Sequence, residues 1–386
     1  LTLHGAMTMN DETYLFDNEP NRFEHDDINR LLVYSNQINA SDITIQTNQP
    51  VVAEIYGRLH KITNRSLTNS EVGNLLNSIY GPNGTTQIQR GEDLDTHYEV
   101  RPNRNERYRH RVNAVGCYVD GHEGIQITVR TIPTIPPSLS SLNLEPTIID
   151  AIAPQDGVVY VTGATGSGKS TLLAAIIKEL AEEPESHRKV LTYESPIEFV
   201  YDSIETPTAI ISQSEIPKHL PSFAAGVRNA LRRKPRLILV GEARDSETIS
   251  AVVEAALTGH PVYTTLHSNG VAETVRRLVG SFPKEEQSAR TIDIIETMRL
   301  IISQRLVPTV DGKRVALREY LIFNEEVRDK ILESNPDNIT AITRDFVHRY
   351  GQPLSVDVEK KFQAGLISER TKNILLARSR HEETSN

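Results

Sequence analysis

Gly163-Ala164-Thr165-Gly166-Ser167-Gly168-Lys169-Ser170-Thr171 is the stretch whose residue types and spacing point most directly to a chemistry. The pattern G-x-x-x-x-G-K-[ST] cradles phosphate when a strand precedes it and a helix follows. Both flanks fit: 158–162 is a β-branched run, and Leu172, Leu173, Ile176, Ile177 and Leu180 recur at helical spacing. Glycines at 163, 166 and 168 let consecutive N–H groups and the helix N-terminus face an anion. Lys169 then meets the β and γ phosphates of ATP, and the Ser170 hydroxyl meets Mg²⁺.

Phosphate binding alone is not a reaction; hydrolysis also needs an acidic site that supports the metal and orients water. Two candidates stand at strand ends. In Leu191-Thr192-Tyr193-Glu194-Ser195-Pro196-Ile197-Glu198-Phe199 the acids are Glu194 and Glu198, with an ordinary proline-containing acidic surface loop as the alternative. In Leu237-Ile238-Leu239-Val240-Gly241-Glu242-Ala243-Arg244-Asp245 an apolar strand ends in Gly-Glu, so Glu242 is placed to align the attacking water; the plainer alternative is a helix N-terminal acid beside Arg244. His260 and His267 flank a third strand, seven apart, which is not the spacing of a helical metal pair. A γ-phosphate sensor or an interface contact is the expected role of each, with an ordinary strand-end histidine as the alternative.

These side chains need a parallel sheet behind them. From 158 onward strands and helices alternate: 158–162 then 169–181, 189–194 then 221–233, 237–240 then 245–257, and 262–266 then 271–280. Alternation of this kind implies a parallel sheet with its ligand at the carboxyl ends of the strands. A long helix over 285–303, a hairpin around Asp311-Gly312 and a helical tail are expected to follow. Upstream, a helix over 27–37, strands over 41–46 and 51–56, a helix over 67–80 and three strands between 96 and 131 make a small α+β unit rich in arginine. The run 132–141 holds three prolines and three serines and marks a linker.

Composition bounds the rest. With 386 residues the chain is long enough for two or three domains, and a net charge of −9 argues against a nucleic-acid track. One cysteine, Cys117, excludes a disulfide framework and a Cys₄ zinc element. No apolar run approaches the roughly 18 residues of a membrane span, so a soluble, cytoplasmic protein is expected. The first few residues, to about Ala6, are set aside as a truncated or appended start.

In this order the motifs resemble the Walker A, Asp-box, Walker B and His-box series of the secretion ATPases, the hexameric motors of type II and type IV secretion and of type IV pili. Ser41-Asp42-Ile43-Thr44-Ile45, Arg109-His110-Arg111-Val112-Asn113-Ala114 and Arg130-Thr131-Ile132-Pro133 are similar to that family's N-terminal motifs. The missing Cys-x-x-Cys insert points to the pilus-retraction and Dot/Icm branch. Three departures stand out: Ser195 replaces an expected acid, 232–236 is basic where the family is acidic, and Glu326-Val327-Arg328-Asp329 replaces Ala-Ile-Arg-Asn.

Residues 1–26, acidic and without sustained periodicity, read as a flexible or partner-docked arm; after it the resemblance implies an α/β protein with a PAS-like N-terminal domain over 27–131, a linker over 132–143, a RecA-like P-loop core over 144–324 and a helical region over 325–386. It implies ATP and Mg²⁺ as ligands, with residues 163–171 on nucleotide and Ser170 and Glu194 on the metal. Glu242 is then the catalytic carboxylate beside Lys169, with Glu194 and Glu198 supporting metal and water. His260 and His267 read the nucleotide state, and Arg109, Arg111 and Arg130 reach the phosphates. The implied assembly is a homohexamer recruited to the cytoplasmic face of the inner membrane by secretion-system components, working without nucleic acid.

Overall fold

Period-two burial builds the first unit. In β1 (Asp42–Gln46) Ile43 and Ile45 face inward while their neighbours face outward, and β2 (Val52–Ile55) repeats the pattern with Ala53 and Ile55. The computed structural model describes residues 14–384, divided between Thr134 and Ile135 into two units. Before β1 comes α1 (Asp27–Gln37). After β2 come β3 (Arg58–Lys61), α2 (Asn69–Tyr80), α3 (Gly84–Gln89), β4 (Leu94–Val100), β5 (Tyr108–Val119) and β6 (His122–Ile132). The strands form one antiparallel sheet in the order β3-β2-β1-β6-β5-β4. Leu31, Leu32, Leu75 and Leu76 of the helices share a core with Ile43, Ile45, Val112 and Val129. Cys117 lies on β5, partly exposed.

The expected flexible arm needs correction where it is described. Residues 1–13 lie outside the described residues. Over 14–26 the chain belongs to the first unit's core: Phe23 is fully buried and Phe16 nearly so, and Phe16 N donates to Ile62 O at 2.8 Å. An acidic stretch is held down here by its scattered aromatics, which cover apolar surface that composition averages hide.

The second unit alternates as its sequence suggests. Helix α4 (Pro146–Ala151) leads into β7 (Gly157–Thr162), α5 (Lys169–Glu182), β8 (Lys189–Glu194), β9 (Ile210–Glu215), α6 (Phe223–Ala230) and β10 (Leu237–Val240). Then come α7 (Ser246–Leu257), β11 (Pro261–Leu266), α8 (Val271–Gly280), α9 (Gln287–Thr297), β12 (Met298–Pro308) and β13 (Arg314–Ile322). Helices α10 (Glu325–Glu333), α11 (Ile339–Tyr350), α12 (Leu354–Gln363) and α13 (Glu369–Thr384) complete it. The sheet order is β13-β12-β7-β11-β10-β8-β9; only the β12–β13 pair is antiparallel. Among the described residues no helix is long and apolar enough to cross a membrane.

Two expectations fail in this unit. The helix expected over 285–303 stops at Thr297, and 298–303 opens strand β12, with Leu300, Ile301 and Ile302 wholly buried beside β7. A continuous apolar run buried on both faces has no period to distinguish strand from helix. Strand β9 was not expected because its sequence, Ile-Ile-Ser-Gln-Ser-Glu, sits at the sheet edge, half-exposed and mostly polar.

Candidate active site

Register brings the motif loops to one rim. Thr162 of β7 pairs with Leu266 of β11, and Val240 of β10 pairs with Tyr193 of β8, so the loops that follow leave the sheet at the same end. Gly163 N donates to Leu266 O at 3.2 Å, Ala243 N to Thr265 O at 3.0 Å, and Gly241 N to Tyr193 O at 2.7 Å. A Cβ on Gly241 would stand 3.1 Å from Tyr193 O and 3.3 Å from the Glu194 Cα. Glycine at this position lets the two acidic loops touch.

The phosphate loop closes at Gly168, whose φ of 86° lies in the left-handed region, and α5 starts at Lys169 with no side-chain cap. The first-turn N–H groups are therefore left for an anion. Lys169 is buried, and its Nζ donates to Gly163 O at 2.9 Å and Ala164 O at 2.8 Å. Burial presses its pKa down while Glu242 and Glu198 hold it up, which puts both carboxylates within electrostatic reach of the ammonium. Ser170 is exposed at the start of α5, and the buried Ser167 Oγ has no hydrogen-bond partner among the described residues.

Glu242 is propped from two sides: its Oε1 lies 3.2 Å from His267 Nε2 and 3.2 Å from Arg244 Nε. Glu194 is more enclosed, accepting from Thr192 Oγ1 at 2.8 Å and Gln213 Nε2 at 3.1 Å. Burial pushes its carboxyl up to about 7; the charges of Glu198 and Glu215 act in the same direction and the two hydrogen bonds oppose them. Arg244, Arg277 and Arg344, with His267 and the acids Glu273 and Glu319 among them, line a groove of about 1290 Å³ that starts at the loop tip, Ala164 and Thr165.

The arrangement fits a magnesium-bound polyphosphate. An orphaned hydroxyl, open helix N–H groups, an ammonium and the groove's arginines are donors suited to such an anion. Among the described residues no cluster of three histidine or acidic side chains could hold a metal by itself. Mg²⁺ suits such a site because it binds through few side chains plus substrate phosphates.

His260 is the misplaced candidate. It precedes β11, whereas His267 follows it, so the two rings stand at opposite ends of a six-residue strand. The His260 ring is 3.0 Å from Ala255 O and 3.1 Å from Thr258 Oγ1, a strand-start contact remote from this rim. The three arginines belong to the first unit. Arg111 donates twice to Asp95, at 3.2 and 2.9 Å; Arg130 is the cross-strand neighbour of Asp42; and Arg109 Nη1 is buried without a hydrogen-bond partner among the described residues. Sequence reasoning missed Gln304, whose Nε2 donates to Ser167 O at 2.7 Å. Its one cue was a lone amide inside an apolar strand.

A largely parallel sheet with a P-loop after its inner strand β7 and a propped glutamate two strands away defines a RecA-like nucleoside-triphosphatase. Residues 27–348 match the family described as Type II/IV secretion system protein, and the chain belongs to it. It is similar to the ATPase DotB of Legionella pneumophila: 65% identity, a TM-score of 0.92, and coverage of 94% of this chain and 98% of that one. The pilus retraction motor PilT solved with ADP is 29% identical with a TM-score of 0.73, covering 89% and 95%. The twitching motility protein of Neisseria gonorrhoeae is 37% identical over 334 residues, 86% of this chain and 85% of the relative. An ATP hydrolase of this family, with an N-terminal domain before its ATPase domain, is what the sequence motifs imply and these likenesses show.

Proposed function

We propose that this chain is a Dot/Icm-like motor: a homohexamer that hydrolyses ATP at the inner face of the inner membrane to power translocation or assembly of a type IV secretion machine. What carries the reading is 65% identity to DotB across nearly all of both chains. Lys169, on leaving the carbonyls of Gly163 and Ala164, bridges the β and γ phosphates, and the N–H groups at the start of α5 hold their oxygens. Ser170 and Glu194 would hold Mg²⁺, which when bound would supply neutralisation of the charge on the phosphoryl oxygens. Glu242, kept in place by His267 and Arg244, orients the attacking water and takes its proton. Arg109, Arg111 and Arg130 add positive charge on closure of the N-terminal domain, and release after hydrolysis delivers the stroke.

The test is phosphate release and solution mass with ATP and Mg²⁺. Glu242→Gln should lose at least 100-fold in turnover, on the order of the loss of a positioned base, while still binding ATP and forming the ring. Full turnover in a nucleotide-binding Glu242→Gln protein would overturn the assignment. A retraction motor is the second reading, favoured by the likeness to the twitching motility protein and PilT; restoring pilus retraction rather than secretion in deletion strains would select it.

A further inference from the structure

Arg318 of β13 is 3% exposed, yet it is a charged side chain with partners in three separate parts of the second unit. Its Nε donates to Gln304 Oε1 at 3.0 Å, and Gln304 Nε2 donates in turn to Ser167 O inside the phosphate loop. Its guanidinium donates to Leu142 O at 2.9 Å and Asn143 O at 3.3 Å, on the stretch that follows the unit boundary. Its backbone N–H donates to Asp357 Oδ2 of α12 at 2.8 Å, and its carbonyl accepts from Gln352 at 2.9 Å. Asp357 is 1% exposed and is paired with Lys361 at 3.1 Å.

Gln304 also fills the space against which the loop is moulded. A Cβ on Gly168 would stand 2.7 Å from its Nε2, and a Cβ on Gly163 would run into its carbonyl oxygen. The peptide joining Ser167 to Gly168 is thus fixed by one amide side chain, and that amide is oriented by one guanidinium. The guanidinium has a second acceptor within reach: Glu145 Oε2 lies 3.9 Å from Nη1 and has no hydrogen-bond partner among the described residues. A small shift of Arg318 toward Glu145 would exchange one set of bonds for another, and a buried network able to make that exchange can carry coupling.

We propose that Gln304 and Arg318 are positioning residues forming a buried relay, through which the packing of α12 and of the stretch 142–145 sets the affinity of the phosphate loop for nucleotide. The proposal rests on the reading that this loop binds ATP. Coupling is reciprocal, so nucleotide must also steady α12.

The experiment uses the full chain and a fluorescent ATP analogue with Mg²⁺. Hydrogen exchange of 354–363 is measured with and without Mg-ADP, and thermal melting verifies the fold of each variant. Gln304→Leu should weaken binding and raise KM about tenfold, the scale of one buried hydrogen bond, with kcat changing less than threefold. Gln304→Glu keeps an acceptor for Arg318 but cannot donate to Ser167 O, and should weaken binding equally. Arg318→Lys should weaken binding too, and the double variant should be no weaker than the worse single one. Mg-ADP should slow exchange in α12 of the wild type and not of the Gln304 variants. Affinity within twofold of wild type in a folded Gln304 variant, or multiplicative losses in the double variant, or an α12 response that survives Gln304→Leu, would each overturn the relay. A wild-type chain that binds no nucleotide overturns the functional reading itself, and is told apart by that.

Discussion

Two carboxylates at one rim are given different surroundings, and surroundings decide protonation. Glu242 faces Arg244 and His267, whereas Glu194 is enclosed by Thr192 and Gln213 with its carboxyl raised to about 7. In the unfolded chain Glu194 ionises near its ordinary value of 4.5; in the folded chain it does so only near 7. Folding therefore favours the protonated form, and that contribution is lost as pH rises through about 7. Glu194→Gln should stabilise the second unit at pH 8 by on the order of 1–3 kcal/mol, shown by urea unfolding, with no gain at pH 4. Phosphate release should fall in the same variant, because a carboxylate is lost beside the nucleotide. At this scale the site was legible wherever a motif is local, as for Lys169 and Glu242. Gln304 was not, because the group it serves lies 137 residues away in the chain.

Elements were legible when their edges carry chemistry of their own. Helix α2 announces itself with Thr68 and Glu71, a capping box in which each side chain bonds the other's backbone N–H. The sequence does not reveal that Glu71 has a second task. It also receives Arg65 through two bonds of 2.7 and 2.8 Å and the Phe23 N–H at 2.8 Å, so one carboxylate fastens a loop and the 14–26 stretch to the helix. Burial works against its ionisation, yet Arg65 and the Phe23 and Thr68 N–H groups outweigh it and hold the carboxyl down at about 2. Glu71→Ala strands the buried end of that network and should cost about 3–5 kcal/mol. Limited proteolysis at Arg22, exposed just before the buried Phe23, should then become faster than in the wild type; an unchanged digestion pattern would show that Phe16 and Phe23 hold the segment without it. Strand β12 failed to announce itself for the opposite reason: its two faces are both core, and its boundary with α9 is a single peptide.

The division into two units, near a proline-rich stretch, and the parallel sheet of the second follow from features that repeat along the chain, which is why the larger organisation was readable while its internal ties were not. Those ties also make the units answer differently to acid. His110, 1% exposed in the first unit, sits between Asn36 at 2.9 Å and Tyr98 O at 3.3 Å. Burial lowers its pKa from 6.5 to about 4, against the pull of the Tyr98 bond. As pH falls from about 6.5 to 4 the unfolded chain gains a proton at His110 that the folded one refuses, which costs the first unit up to about 3 kcal/mol; Asp42, its carboxyl raised to about 6 chiefly by burial, returns part of that as it protonates in the fold. Over the same range Glu194 acts with the opposite sign in the second unit. Pulse proteolysis across a urea series at pH 7.5 and 5 should show the first unit's transition moving down and the second's holding or rising; parallel shifts would refute the assignment. His110→Gln should flatten the first unit's dependence.

Cys117 completes the picture in a practical way. It is the chain's one thiol, partly exposed on β5, with burial raising its pKa and slowing its reaction at neutral pH. A maleimide dye applied at mildly alkaline pH therefore labels each subunit once, at a known strand position of the first unit. Energy transfer from that dye to a fluorescent nucleotide would test, on an unmodified sequence, the closure and release proposed for the first unit.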